Sequence, residues 1–198
     1  MKAARMSNGK PLGQTPSQTV GPYFAYSLTP AQYGYDWSSI ADPDMIDEAT
    51  PGQRITVEGQ VLDGADQPIT DALIELWHAD AQGRYVNQHE ANGRFTGFGR
   101  CGTGTLTEGH FRFRTIRPAA ISPTEAPHIN VILTMRGLLL HVFTRIYFAG
   151  EMSNETDPVL LQVPAARRAT LIATETAPGM FSFNIRMQGD HETVFLDI

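Results

Sequence analysis

Between Ala126 and Phe148 the chain reads Ala126-Pro-His-Ile-Asn-Val-Ile-Leu-Thr-Met-Arg-Gly137 and then Leu138 to Phe148, and this alternation leaves little choice of fold. At period two, Ile129, Val131, Leu133 and Met135 share one face, while His128, Asn130, Ile132, Thr134 and Arg136 share the other. A helix would scatter both sets around its axis. The first face is a core face. The second opens on a histidine and closes on an arginine, roughly 26 Å apart in an extended strand. No single small ligand spans that distance, so any roles of His128 and Arg136 belong to different sites, or one of them serves a neighbouring chain.

The same pattern recurs along the sequence. Arg54 to Leu62 alternates and ends in the turn residues Asp63-Gly-Ala-Asp; Ala72 to His78 follows, and His110 to Ile116 sends Phe111 and Phe113 inward with Arg112 and Arg114 outward. The pair 128–136 and 139–148, then Phe181–Met187 and Thr193–Asp197, complete seven or eight short strands. Residues 84–104 are rich in glycine and read as a long loop, and 117–125 as a second, proline-rich one. Helices are expected only at Thr29–Ile40, with Thr29 as N-cap and Pro30 in the first turn, and at Pro164–Ala173. The architecture implied is mainly β, an antiparallel sandwich with long loops at its ends.

Length supports one domain: 198 residues bury one good core and are short for two. The division expected is a flexible N-terminus over 1–14, an extended arm with a short helix over 15–50, and the sandwich over 51–198. The arm is expected because Pro16, Gly21 and Pro22 exclude a regular element from Thr15-Pro-Ser-Gln-Thr-Val-Gly-Pro-Tyr23. A formal net charge of -6, with acids and bases interspersed, argues against a nucleic-acid partner. No apolar run approaches a membrane span, the start lacks the apolar core of a secretory signal, and the lone Cys101 fits a reducing compartment, so a cytoplasmic location is expected.

His128 and Asn130 project to the same side, where a His-x-His would be a good metal pair; with asparagine in the second place, a hydrogen-bonded structural histidine is the simpler reading. His141 shares a face with Phe143, Arg145 and Tyr147, could join a polar cluster there, and carries no catalytic role. Arg136 offers a planar fork suited to a carboxylate, against the ordinary reading of a solvated arginine. Trp37 and Trp77 read as core or interface residues. Nucleophile elbows, P-loops, dinucleotide fingerprints and zincin motifs are absent from the sequence.

Several segments in this order resemble the intradiol ring-cleavage dioxygenases: Thr15 to Tyr23, Ile74-Glu-Leu-Trp-His-Ala-Asp-Ala-Gln-Gly-Arg-Tyr85, Gly97-Phe-Gly-Arg100, Phe113-Arg-Thr-Ile-Arg-Pro118, Pro127-His-Ile-Asn130 and Thr144-Arg-Ile-Tyr-Phe148. The resemblance implies a β-sandwich and, in catalytic chains, a ferric ion held by two tyrosines and two histidines, hard anionic phenolates suiting Fe(III). Here the second histidine is Asn130, and neither Pro118–Pro123 nor Val86–Gly99 carries the family's tyrosines. The resemblance therefore implies no metal in this chain and no catalytic residue of its own. It implies instead a hetero-oligomer of αβ units in which a β subunit holds Fe(III), cleaves protocatechuate with O2, and borrows part of its substrate pocket. The residues this would lend are Thr19, Gly21, Pro22 and Tyr23 of the arm, and Arg136. Two other readings fit the residues: a non-catalytic β-sandwich binding or interaction module, and a self-sufficient enzyme with rearranged ligands Tyr85, His89 and His128.

Overall fold

The computed structural model describes residues 6–7, 10–11, 19, 21, 24–86, 95–104 and 107–197. Nine strands form its sheet system: β1 (Arg54–Leu62), β2 (Leu73–Trp77), β3 (Phe98–Gly102), β4 (His110–Ile116), β5 (His128–Thr134), β6 (Val142–Phe148), β7 (Ile172–Ala177), β8 (Met180–Ser182) and β9 (Ile185–Arg186). One layer is β3-β2-β5-β6; β1 with β4, β8 and β9 forms the facing layer, and β7 joins the two by pairing with both β6 and β8. Five pairings are antiparallel. The pairs β1–β8, β1–β9 and β6–β7 are parallel, so the antiparallel sandwich of the sequence reading is in detail a mixed one. The β6–β7 contact is parallel because residues 149–171 form a crossover between them, carrying α2 (Pro158–Gln162) and a 3₁₀ segment, Ala165–Leu171.

The alternation in β5 places its apolar face as expected. Ile129, Val131 and Leu133 are fully buried against Ile74 and Leu76 of β2 and Val57, Phe111 and Phe113 of the opposite layer. Ion pairs dress the outer face of β4, Arg112 to Glu58 and Arg114 to Asp44. A second, smaller core of Ala126, Tyr147, Leu160, Val163 and Leu171 forms where the crossover closes over the start of β5.

Several boundaries differ from those the sequence suggests. The helix expected over Thr29–Ile40 is replaced by α1 (Phe24–Leu28) and a single 3₁₀ turn, Pro30–Tyr33. The Thr29 hydroxyl donates back to the Ala25 carbonyl at 3.0 Å, closing α1 rather than opening a helix, and Gly34 at φ 73° stops the turn. The expected helix Pro164–Ala173 yields to the 3₁₀ segment and then to β7. Ala173 is wholly buried in the sheet and accepts from Ala149 N, so pairing overrides helix propensity. The 84–104 loop contains a strand, β3. Its glycines mark close approach: a Cβ on Gly99 would lie 2.6 Å from Met45 Cγ, and one on Gly102 would lie 2.1 Å from Gln32 Oε1.

The expected strand Phe181–Met187 is split into β8 and β9, because the Asn184 side chain takes over a ladder position, accepting from Gln60 N at 3.0 Å. Thr193–Asp197 reduces to one bridge, Phe143 with Leu196. Of residues 1–14, only the short antiparallel pairing of Met6–Ser7 with Lys10–Pro11 is described. Among the described residues no helix is long and apolar enough to cross a membrane.

Candidate functional site

The polar face of β5 separates into two places, one at each end. At its start His128 is buried, and its Nδ1–H donates to the Ala126 carbonyl at 2.8 Å. Nε2 is buried with no hydrogen-bond partner among the described residues. Burial, reinforced by the Arg145 guanidinium, holds the imidazole below its ordinary pKa and therefore neutral.

Asn130, the next residue on this face, is fully engaged. Its Nδ2 donates to the Trp77 carbonyl at 3.1 Å and to the Tyr85 hydroxyl at 2.9 Å, and its Oδ1 accepts from Arg145 Nε at 3.1 Å. Arg145 faces Asn130 across the β5–β6 ladder. Its Nη1 donates to Tyr147 Oη at 3.3 Å and lies 3.9 Å from Glu125. Tyr147 in turn donates to Asp157 Oδ1 at 3.1 Å, and burial pushes its phenol above the ordinary range against the pull of Arg145. Asp157 is wholly buried and also accepts from Val159 N, Leu160 N and Ala126 N, each at 2.9 Å.

These residues do not fit a ferric ion. The set offers one neutral imidazole and an amide whose groups are all committed. Its one buried phenol is held protonated against a carboxylate, and a guanidinium cation stands among them. Fe(III) favours anionic oxygen donors, and a neighbouring cation works against it. Of the rearranged set, the Tyr85 hydroxyl accepts from Asn130 Nδ2, and His89 lies outside the described residues. The polar cluster expected around His141 does form, but from Arg145 and Tyr147. His141 itself is exposed and packs edge-on to Phe143 at 4.7 Å. Sequence reasoning misses Asp157, although an Asp immediately before Pro158 is an N-cap signal.

The other end of β5 is more open. Arg136, just past the strand, is 61% exposed and forms an ion pair through Nε with Asp71 Oδ2. Gly137 N donates to Thr19 Oγ1 at 3.3 Å, so one residue of the arm touches the turn that carries Arg136. Residues 68–71 and 135–137 line an open cleft of about 490 Å³ here. Tyr33 stands near Asp71, its phenol raised first by burial and then by Tyr26 and Asp71. Gly21 is half-buried with φ 71°; Pro22 and Tyr23 lie outside the described residues. The structure thus places Thr19 against Gly137, the residue after Arg136, at the end of β5 opposite His128. Asp71 is 65 residues from Arg136 in sequence, and no local pattern connects the two.

His78, inside the Leu-Trp-His segment, is structural. Its Nδ1–H donates to the Ala79 carbonyl and its Nε2 accepts from the Thr115 hydroxyl, both at 2.8 Å, and burial pushes its pKa down to about 4. Trp77 and Trp37 are not core residues: they are 47% and 51% exposed, ring to ring with Tyr85 and Tyr35.

Comparison with known proteins gives a consistent set. The family model described as Dioxygenase matches residues 19–189. The protocatechuate 3,4-dioxygenase alpha chain of Burkholderia cepacia is 48% identical over 194 residues, covering 94% of this chain and 98% of that protein. The beta chain from the same organism is 35% identical over 189 residues, covering 86% of this chain and 77% of that protein. Among solved structures, the dioxygenase domain of a dioxygenase carbohydrate-binding protein fusion from Streptomyces sp. SirexAA-E superimposes with a TM-score of 0.59 at 28% identity, over 92% of this chain and all of that one.

Proposed function

The chain belongs to the intradiol ring-cleavage dioxygenase family, and from that premise we propose that it is the α subunit of an αβ protocatechuate 3,4-dioxygenase and holds no iron of its own. The assembly converts protocatechuate and O2 to 3-carboxy-cis,cis-muconate in aromatic catabolism, both oxygen atoms entering the product. Its ferric ion is held by the β subunit, and its location is the cytoplasm.

One observation carries the iron-free reading: Arg145, Asn130 and Tyr147 interlock beside His128, where the family's ligands would stand. A cation and a consumed amide there work against Fe(III), leaving His128 Nε2 as the one unengaged nitrogen of the group. What this chain contributes lies at the far end of β5. Arg136, with Thr19, Gly21, Pro22 and Tyr23 of the arm, completes the partner's substrate pocket, the guanidinium taking the ring carboxylate of protocatechuate. The exposure of Arg136 and the contact of Thr19 with the adjacent turn support this placement.

Co-expression with the β chain tests the reading. The pair is expected to purify as a red, iron-bearing complex, and this chain alone as a colourless protein. Arg136→Ala in the complex is expected to raise KM for protocatechuate by ~30-fold or more, the effect of about 2 kcal/mol or more when a desolvated charge loses its partner, with iron content unchanged. Stoichiometric iron and a phenolate charge-transfer band in the isolated chain would overturn the proposal.

A further inference from the structure

We propose that Asp71 is a positioning residue for substrate recognition: it holds Arg136 by Nε and so presents the two terminal Nη groups to the carboxylate of the aromatic acid. The inference rests on the assignment of Arg136 to the shared substrate pocket and adds a residue to it. A guanidinium has a side edge, Nε with one Nη, and an end edge, Nη with Nη, and either edge can take a carboxylate. In this structure Nε is paired with Asp71, and the terminal nitrogens have no partner among the described residues.

The two partners differ in how firmly they are held. Arg136 is more than half exposed on a turn, whereas the Asp71 side chain is only 20% exposed. The backbone around Asp71 is pinned: Ala72 N donates to Thr103 Oγ1 at 3.1 Å, and Thr103 N donates to the Ala72 carbonyl at 2.9 Å. Gly104 packs so closely on Thr70 that a Cβ there would lie 2.9 Å from the Thr70 carbonyl oxygen. A fixed carboxylate thus holds a long, rotamer-rich side chain. Ordering that side chain before the substrate arrives removes part of the entropy loss from the binding step.

Asp71 also carries charge, which opposes a second carboxylate on the same guanidinium. Asn retains an oxygen acceptor for Nε and drops the charge; Ala drops both. The two variants therefore separate placement from charge. In the assembled αβ enzyme, Asp71→Ala is expected to raise KM for protocatechuate roughly tenfold, equal to about 1.4 kcal/mol, with kcat and iron content unchanged. Asp71→Asn is expected to stay within about twofold of the parent enzyme. The inhibition constant of catechol, which has no carboxylate, is expected to be unchanged in both.

A KM for protocatechuate that stays level or falls in Asp71→Ala would overturn the inference. So would a parallel loss of catechol affinity, which would mean a general distortion, or an equal loss in Asp71→Asn, which would make charge the operative property. Arg136→Ala separates the levels. If it leaves KM unchanged, the reading of Arg136 itself fails; if it raises KM while Asp71→Ala does not, only the role of Asp71 fails.

Discussion

Asp157 gives the sharpest quantitative test of how the chain is held together. It has no exposed surface and accepts four hydrogen bonds: Val159 N and Leu160 N at the start of α2, Ala126 N just before β5, and the Tyr147 hydroxyl on β6. Asp157→Ala removes the helix cap, a loss of about 1 kcal/mol. It also leaves the buried Ala126 N–H and Tyr147 O–H without partners, about 1–3 kcal/mol each. These terms share one side chain and do not add fully, so the sum expected is about 3–5 kcal/mol. For a domain of this size that corresponds to a fall in Tm of roughly 10–15 °C. Asp157→Asn keeps a good cap for α2 but turns an amide N–H toward Ala126 N, so about half the loss is expected. Thermal unfolding followed by circular dichroism, at fixed protein concentration because assembly shifts Tm, measures both variants. A fall of less than about 3 °C in the alanine variant would mean that the crossover relaxes to satisfy its own donors, and the account of Asp157 as the tie between β5, β6 and α2 would be refuted.

Stability is expected to fall on mild acidification. The unfolded chain protonates histidine near pH 6.5, while buried His78 resists protonation down to about pH 4. The stability it contributes is therefore complete above pH 6.5 and lost as pH drops toward 4, by up to about 3 kcal/mol; His128, also held low, works in the same direction. Urea midpoints between pH 7 and 4.5 measure the slope, and His78→Gln is expected to flatten it. Gly59→Ala would place a Cβ 1.9 Å from the Phe183 carbonyl oxygen, backbone that must move, whereas Gly102→Ala meets only the Gln32 side chain. Losses of about 3 and under 1 kcal/mol are expected from denaturant unfolding; equal losses would show that the β1–β9 edge gives way. Arg145→Met is expected to lower Tm while leaving KM for protocatechuate unchanged in the assembled enzyme; a rise in KM would mean that the two ends of β5 are coupled.

The core was legible because burial and period two coincide in β5, and Ile129, Val131 and Leu133 could only face inward. The glycines of β3 misled, since the sequence does not say whether a glycine marks a turn or a neighbour pressed against it. Gly99 and Gly102 are of the second kind, with Met45 and Gln32 as the neighbours. Ala165 to Leu171 misled for a different reason. Helix propensity there is genuine, but Asp157 starts α2 earlier, Val163 and Pro164 are extended, and the sheet claims the chain from Ile172 onward. The departure of Asn130 from the family's His-x-His could be read from the resemblance alone. The side chains packed around it could not, because Arg145 meets Asn130 only through strand pairing and Asp157 reaches Tyr147 only through the crossover.

On the proposed iron-free reading, this end of β5 is a pocket framed for a cation that it does not hold, and that sets a simple constraint. Carboxylates and phenols left around it must gain another positive charge, be protonated, or be exposed to water, since each buried and unpaired group is expensive. In this chain Arg145 supplies the charge from β6, reaching Asn130, Tyr147 and the vicinity of Glu125, and Asp157 is satisfied by backbone N–H groups as well as by the phenol. The result is a strand start at which Asn130, Arg145, Tyr147 and Asp157 are occupied with one another and with the fold, while His128 Nε2 alone of this group has no partner among the described residues. The opposite end, where Arg136 is exposed and paired through Nε with Asp71, is the one at which the proposed contact of β5 with a ligand and a second chain would form.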